Sequence, residues 1–220
     1  MIDFDKARAT MVDCQIRPND VTNRAVLDAF SKVPREKFVS PAQRPLAYID
    51  EDLAVSAEEN GRYLMEAMSM AKLVQLAEVE ESDIVLDVGC ATGYSTAILA
   101  ELCSSVVAVE SIAELADLAG NTLVELGCDN AVVVQGVLPD GLAKEGPYNV
   151  IYVGGSVDEV PQKLLDQLKD GGRLVVVEGQ GNAGVARIYR RQGDGFYGQT
   201  AFNSAVMPLP GFEKAEEFVF

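Results

Sequence analysis

The sequence predicts an α/β protein built on a doubly wound, mostly parallel sheet, and three patterns lead there. From residue 83 onward, short β-branched runs alternate with segments of helical periodicity. Each run is nearly all apolar, as strands covered on both faces must be. Near the C-terminus, 185–189 and 196–202 switch to apolar–polar alternation, the mark of an antiparallel hairpin at a sheet edge.

Taken in order, residues 1–80 read as an N-terminal helical cap and substrate-side segment. Arg24 to Phe30 carries apolar residues at helical spacing and Pro34 closes it. Residues 34–62 read as loop, with Pro34, Pro41 and Pro45. A second helix is expected from Leu64 to Val79, because Leu64, Ala67, Met68, Ala71, Val74 and Leu76 form a broad apolar side. Residues 81–220 form the core, in one compact domain overall. Its strands are expected at Ile84–Val88, Val106–Glu110, Ala131–Val134, Asn149–Val153 and Arg173–Glu178. Between them lie helices at Tyr94–Leu102, Ile112–Leu126 (stopped by Gly127) and Val160–Leu168, the last with Pro161 in its first turn.

Composition narrows the chemistry. The chain has 220 residues, 48% hydrophobic and 24% charged, which suits a globular domain. Its net charge of −16 repels a polyanion, so no nucleic-acid partner is expected. Apolar runs are strand-sized, and Met1-Ile2-Asp3-Phe4-Asp5-Lys6 is acidic where a secretory signal is basic. A cytoplasmic protein without a membrane segment is the expectation. Cys14, Cys90, Cys103 and Cys128 show no metal-ligand spacing and are expected as free thiols. With no His, Ser-His-Asp triads and Cys-His dyads are excluded, and no metal site is expected.

The most informative stretch is Leu86-Asp87-Val88-Gly89-Cys90-Ala91-Thr92-Gly93-Tyr94. A buried strand ends, glycines allow a tight turn, and a helix begins. In a doubly wound sheet this first crossover faces the ligand crevice. Glycines let backbone approach a ligand closely, and a helix start offers free amides. Glu110 ends the next strand, 21 residues after Gly89, where an acid grips a ribose diol. This Asp-x-Gly-x-x-x-Gly spacing suits S-adenosylmethionine better than NAD. A literal Gly-x-Gly-x-x-Gly at Gly179–Gly184 precedes a strand instead of a helix, so it is read as an inter-strand loop.

The run Asp87 to Ala97 resembles the cofactor motif of protein-L-isoaspartate O-methyltransferases, in which Gly-Tyr-x-Thr-Ala follows the turn. Val33-Pro34-Arg35-Glu36-Lys37-Phe38-Val39, Ala47-Tyr48-Ile49-Asp50, Gln167–Val175 and Met207-Pro208-Leu209 are similar to further motifs of that family. The resemblance implies a seven-stranded, Rossmann-like methyltransferase of class I with a helical cap. It implies S-adenosyl-L-methionine as cofactor and methyl transfer to isoaspartyl carboxylates of damaged proteins, a repair reaction. By the same resemblance, cofactor contacts fall on Asp87, Gly89, Cys90, Ala91, Gly93 and Tyr94, on Glu110 and Ser111, and on Gly136 and Val137. Arg62 and Tyr63 are the candidate catalytic residues, meeting the substrate carboxylate.

Two segments depart from the family pattern. Where it carries Gly-Gln-Thr-Ile-Ser-Gln-Pro, this chain has Gly61-Arg62-Tyr63-Leu64-Met65-Glu66-Ala67. Where it carries Gly-Asp-Gly, this chain has Gly136-Val137-Leu138, with Asp140 the nearest acid to stand in. Three readings stay open: an isoaspartyl methyltransferase, a methyltransferase for another small acceptor, or a non-catalytic binding homologue. The partner is accordingly a protein or peptide with a free carboxylate, or a small molecule.

Overall fold

In a computed structural model, residues 2–56 and 61–214 are described. The cap opens with helix α1, Phe4–Met11, whose start is capped by Asp3 accepting from the Lys6 amide at 3.0 Å. The chain runs on through a wide π-type turn, Val12–Ile16, and leaves the helical path at Asp20, where φ is +64°. Helix α2, Arg24–Lys32, is capped by Asn23 and buries Val26, Leu27, Ala29 and Phe30. It stops at Val33, as the following proline requires.

The helix expected at Leu64–Val79 is shorter. Strand β1, Leu53–Ala54, pairs antiparallel with β2, Tyr63–Leu64, so Leu64 belongs to a ladder and helix α3 covers only Ala67–Leu76. At its far end Glu78 takes a φ of +48°, which turns the chain towards the sheet. Residues 34–52, expected as loop, carry two short 3₁₀ turns at Arg35–Phe38 and Arg44–Leu46.

The sheet follows the expected alternation: β3 Ile84–Val88, α4 Tyr94–Ala100, β4 Ser105–Glu110, α5 Ala113–Glu125 and β5 Ala131–Gln135. Then come β6 Tyr148–Val157, α6 Gln162–Leu165, β7 Leu168–Glu178, β8 Val185–Gln192 and β9 Gly195–Asn203. The seven strands lie in the order β5-β4-β3-β6-β7-β8-β9. β3 to β7 are parallel, while β8 and β9 form the antiparallel edge. Helix α6 is a single turn, not the nine residues expected. The carbonyl of Gln167 accepts from the Tyr148 amide at 2.8 Å, and fully buried Leu168 pairs with Tyr148, so the chain joins the sheet early.

Strand alternation divides the core between the two faces. Val85, Val106, Val150, Tyr152 and Val175 face the cap helices with Phe30, Leu73 and Ile98. Leu86, Val88, Val109, Ile151 and Val176 face α6 and the C-terminal segment with Leu164, Leu209 and Phe212. The chain reverses its direction across the sheet beside β3: β4 lies on one side and β6 on the other. A crevice at that switch point is where doubly wound folds bind ligands.

Candidate functional site

β3 delivers Asp87 and then the turn. Gly89 donates its amide to the Val109 carbonyl at 2.8 Å with φ at +81°, and Gly93 starts α4 at φ +94°. A β-carbon on Gly93 would lie 3.0 Å from that of Ala119, so glycine there lets α4 and α5 approach. Between them Ala91 also has a positive φ, +49°. Its amide donates to Glu110 Oε2 at 2.8 Å, which holds the strained turn.

Asp87 is fully buried. Its Oδ2 accepts from Ser95 Oγ and Thr96 Oγ1, both at 2.7 Å, while its Oδ1 has no protein partner. Burial drives its pKa up from 3.8 to about 6, against the pull of those two hydroxyls. Cys90 and Tyr152, which line a small cavity above the turn, both feel this charge, and burial raises both their pKa values.

Glu110 is also fully buried. Oε1 accepts from the amides of Ser111 at 2.8 Å and Ile112 at 3.2 Å. The remaining side of the carboxylate faces Arg62, whose Nε lies 3.1 Å from Oε2. Arg62 Nη2 donates to the Gly89 carbonyl at 2.6 Å. The Arg62 backbone is held in turn, its amide donating to Ser56 Oγ and its carbonyl accepting from Val55, each at 2.8 Å. Arg62 is therefore neither a solvated loop charge nor, in this arrangement, open to a substrate carboxylate.

Two wider cavities flank the turn. One, of about 390 Å³, is bounded by Ser111, Gly136, Val137, Leu138 and Pro139 on one side and Pro210 and Gly211 on the other. The second, of about 240 Å³, is lined by Gly61, Tyr63, Glu213 and the segment Met207–Pro210. A third cavity, beside Gly89, Cys90, Ala91 and Tyr63, holds only about 20 Å³, room for one water.

Of the residues expected at the cofactor, Asp87, Gly89, Cys90, Ala91, Glu110, Ser111, Gly136 and Val137 gather around this crevice, with Gly93 at its helix start. Tyr94 does not. Its ring packs edge-on to Phe30 and Phe38 in the cap core, with the buried Arg35 guanidinium 4.9 Å from its centre. Asp140 does not replace the family's acid either: it pairs with Lys163 and stays out of the cavity lining. Sequence reasoning gave no role to Leu209, which is 2% exposed and would lie 2.9 Å from a β-carbon on Gly89. Ser156 holds that segment to β6, its amide donating to Met207 at 3.0 Å and its carbonyl accepting from Leu209 at 2.8 Å. The Met207-Pro208-Leu209 motif was the available signal.

The family model for Protein-L-isoaspartate(D-aspartate) O-methyltransferase matches residues 6–213. The chain belongs to that family. Protein-L-isoaspartate O-methyltransferases from Koribacter versatilis and Gloeobacter violaceus are both 35% identical to it. The matches cover 86% of this chain and 84% of the first protein, and 94% of this chain and all of the second. A solved protein-L-isoaspartate O-methyltransferase superposes with a TM-score of 0.81 at 25% identity, over 93% of this chain and 66% of that longer one. One from Plasmodium falciparum, solved with S-adenosyl-L-homocysteine, has a TM-score of 0.76 at 19% identity and shares the fold.

As a member of the protein-L-isoaspartate O-methyltransferase family, the chain is an S-adenosylmethionine-dependent methyltransferase, and its residues fit that cofactor. Asp87 Oδ1 is a buried acceptor with no protein donor, suited to the ammonium of the methionine part. The glycine turn admits backbone contact, and the cavity at Gly136–Leu138 offers apolar walls to a purine. Glu110 has the chemistry for a ribose diol, but Arg62 now holds it.

A pH dependence follows from Asp87. Its folded-state pKa is raised, so the fold is favoured while Asp87 is protonated, and that contribution is lost as pH rises through about 6. Binding has the opposite sense, because a proton and an ammonium compete for the same oxygen. Calorimetric affinity for S-adenosylhomocysteine is expected to fall by about tenfold per pH unit below 6. A flat profile between pH 5 and 7 would remove the ammonium contact.

Proposed function

We propose that this protein methylates the free carboxylate of isoaspartyl residues in damaged polypeptides, as a cytoplasmic repair enzyme. The observation that carries the reading is the family match through residues 6–213, which includes the whole crevice. Among the described residues no helix is long and apolar enough to cross a membrane, and all four cysteines are free. Free thiols fit a reducing compartment.

The absence of histidine suits this chemistry. A carboxyl group with a pKa near 4 is ionised at neutral pH, so the acceptor needs no general base. When bound, the cofactor supplies an electrophilic methyl on a sulfonium. The protein's task is alignment, and positioning alone can remove much of the barrier. Asp87 and the Gly89–Gly93 turn fix one side of the site. Tyr63 lines both the small cavity at the turn and the second cavity, which supports it as the side chain that meets the acceptor. Arg62 can reach the acceptor only after leaving Glu110.

Incubation with labelled S-adenosylmethionine and an isoaspartyl peptide is expected to give a base-labile methyl ester. The same peptide with a normal aspartyl linkage should stay unlabelled. If S-adenosylhomocysteine binds but neither peptide is labelled, the acceptor is a different carboxylate or small molecule.

A further inference from the structure

The crevice holds a conflict that the family assignment does not resolve. A carboxylate has about four lone-pair sites. On Glu110 they face the amides of Ala91, Ser111 and Ile112, the Ser111 hydroxyl and the guanidinium of Arg62. The three amides belong to the turn and the strand end, so they cannot leave without dismantling the fold around them. Arg62 is different: its guanidinium sits at the end of a long flexible side chain whose backbone is anchored separately by Ser56 and Val55.

The same guanidinium covers the turn. A β-carbon placed on Gly89 would lie 2.8 Å from Arg62 Nη2. Arg62 thus rests on the face of Gly89 that lacks a side chain, where backbone is open to close approach. One side chain occupies Glu110, the ribose seat, and lies against the open face of the turn.

We propose that Arg62 is an internal competitor for the cofactor's ribose: the Arg62–Glu110 pair and nucleoside binding are mutually exclusive. The proposal rests on the methyltransferase reading. Its consequence is a latch. Only the fraction of molecules with Arg62 off Glu110 can bind the nucleoside, so the apparent affinity is the intrinsic affinity reduced by that fraction.

The test compares S-adenosylhomocysteine binding by calorimetry in the full-length protein and in Arg62→Gln. Glutamine is neutral and two bonds shorter, and it is the residue the family's segment carries at this place. Arg62→Gln is expected to bind about tenfold or more tightly than the parent. A lost structural ion pair would not by itself raise an affinity. If the parent binds as tightly as the variant, the latch is overturned while the methyltransferase reading stands. If neither binds, both fall. Should Arg62→Gln fail to fold, a crystal of the parent protein grown with saturating S-adenosylhomocysteine decides instead. Arg62 turned away from Glu110 supports the latch; nucleoside bound with the pair intact overturns it.

Discussion

Glu110→Ala is expected to unfold at markedly lower urea than the parent, with a loss of about 3–5 kcal/mol. The substitution leaves Arg62 buried without its counter-ion, since the two side chains are 3% and 0% exposed. It also strips the acceptor from the amides of Ala91, Ser111 and Ile112. Each unsatisfied buried donor adds to the cost. The Ala91 turn, with its positive φ, loses the bond that holds it. S-adenosylhomocysteine binding should vanish with it. Adding Arg62→Ala should recover part of the stability, because it removes the orphaned charge, but none of the binding. The double-mutant cycle in urea isolates the pair, and a double variant no more stable than Glu110→Ala would place the cost in the amides alone.

Asp83→Ala should be comparably destabilising, for a different reason. Asp83 Oδ2 accepts from Arg173 Nη2 at 2.7 Å and from the Glu80 amide at 2.9 Å. Arg173 also donates through Nε to the Ala77 carbonyl at 2.6 Å and through Nη2 to that of Glu78. This knot ties the end of α3 to the approach to β3 and to β7 at the opposite end of the strands from the crevice. Breaking a buried pair from one side costs about 3–5 kcal/mol. Chemical denaturation should show that loss, while the molecules still folded should bind S-adenosylhomocysteine with unchanged affinity. A parallel loss of affinity would mean that the two ends of the sheet are coupled.

What could be read from the amino acids follows from the range of the physics involved. Buried parallel strands need apolar residues on both faces, so Ile84–Val88 and Val106–Glu110 stood out and lie within a residue of where they were expected. In the hairpin at 185–203, β8 shows one-sided burial as alternation, with Ala186 and Ile188 buried, whereas β9 has no buried residue. The turn glycines were legible because positive φ demands them. The failures are tertiary. Leu64 fits a helical stripe, and only its pairing with Leu53 makes it a strand residue. Leu168 ends a good helical pattern, yet burial against β6 draws it into the sheet. Arg62 sits in a polar stretch like any solvated charge, and nothing local announces a partner 48 residues away. The site's glycine scaffold was therefore visible, and Arg62 was singled out, but its pairing with Glu110 was not.

The distribution of thiols gives the crevice a built-in chemical reporter. Cys14 is exposed, whereas Cys90 lies in the small cavity beneath Tyr63, with its thiol held in the protonated, unreactive form by burial. Alkylation under native conditions should mark Cys14 promptly. Half-buried Cys128 follows, so an adduct located at Cys90 by peptide mapping would then count how often the interior is reached, a clock for the opening of this fold.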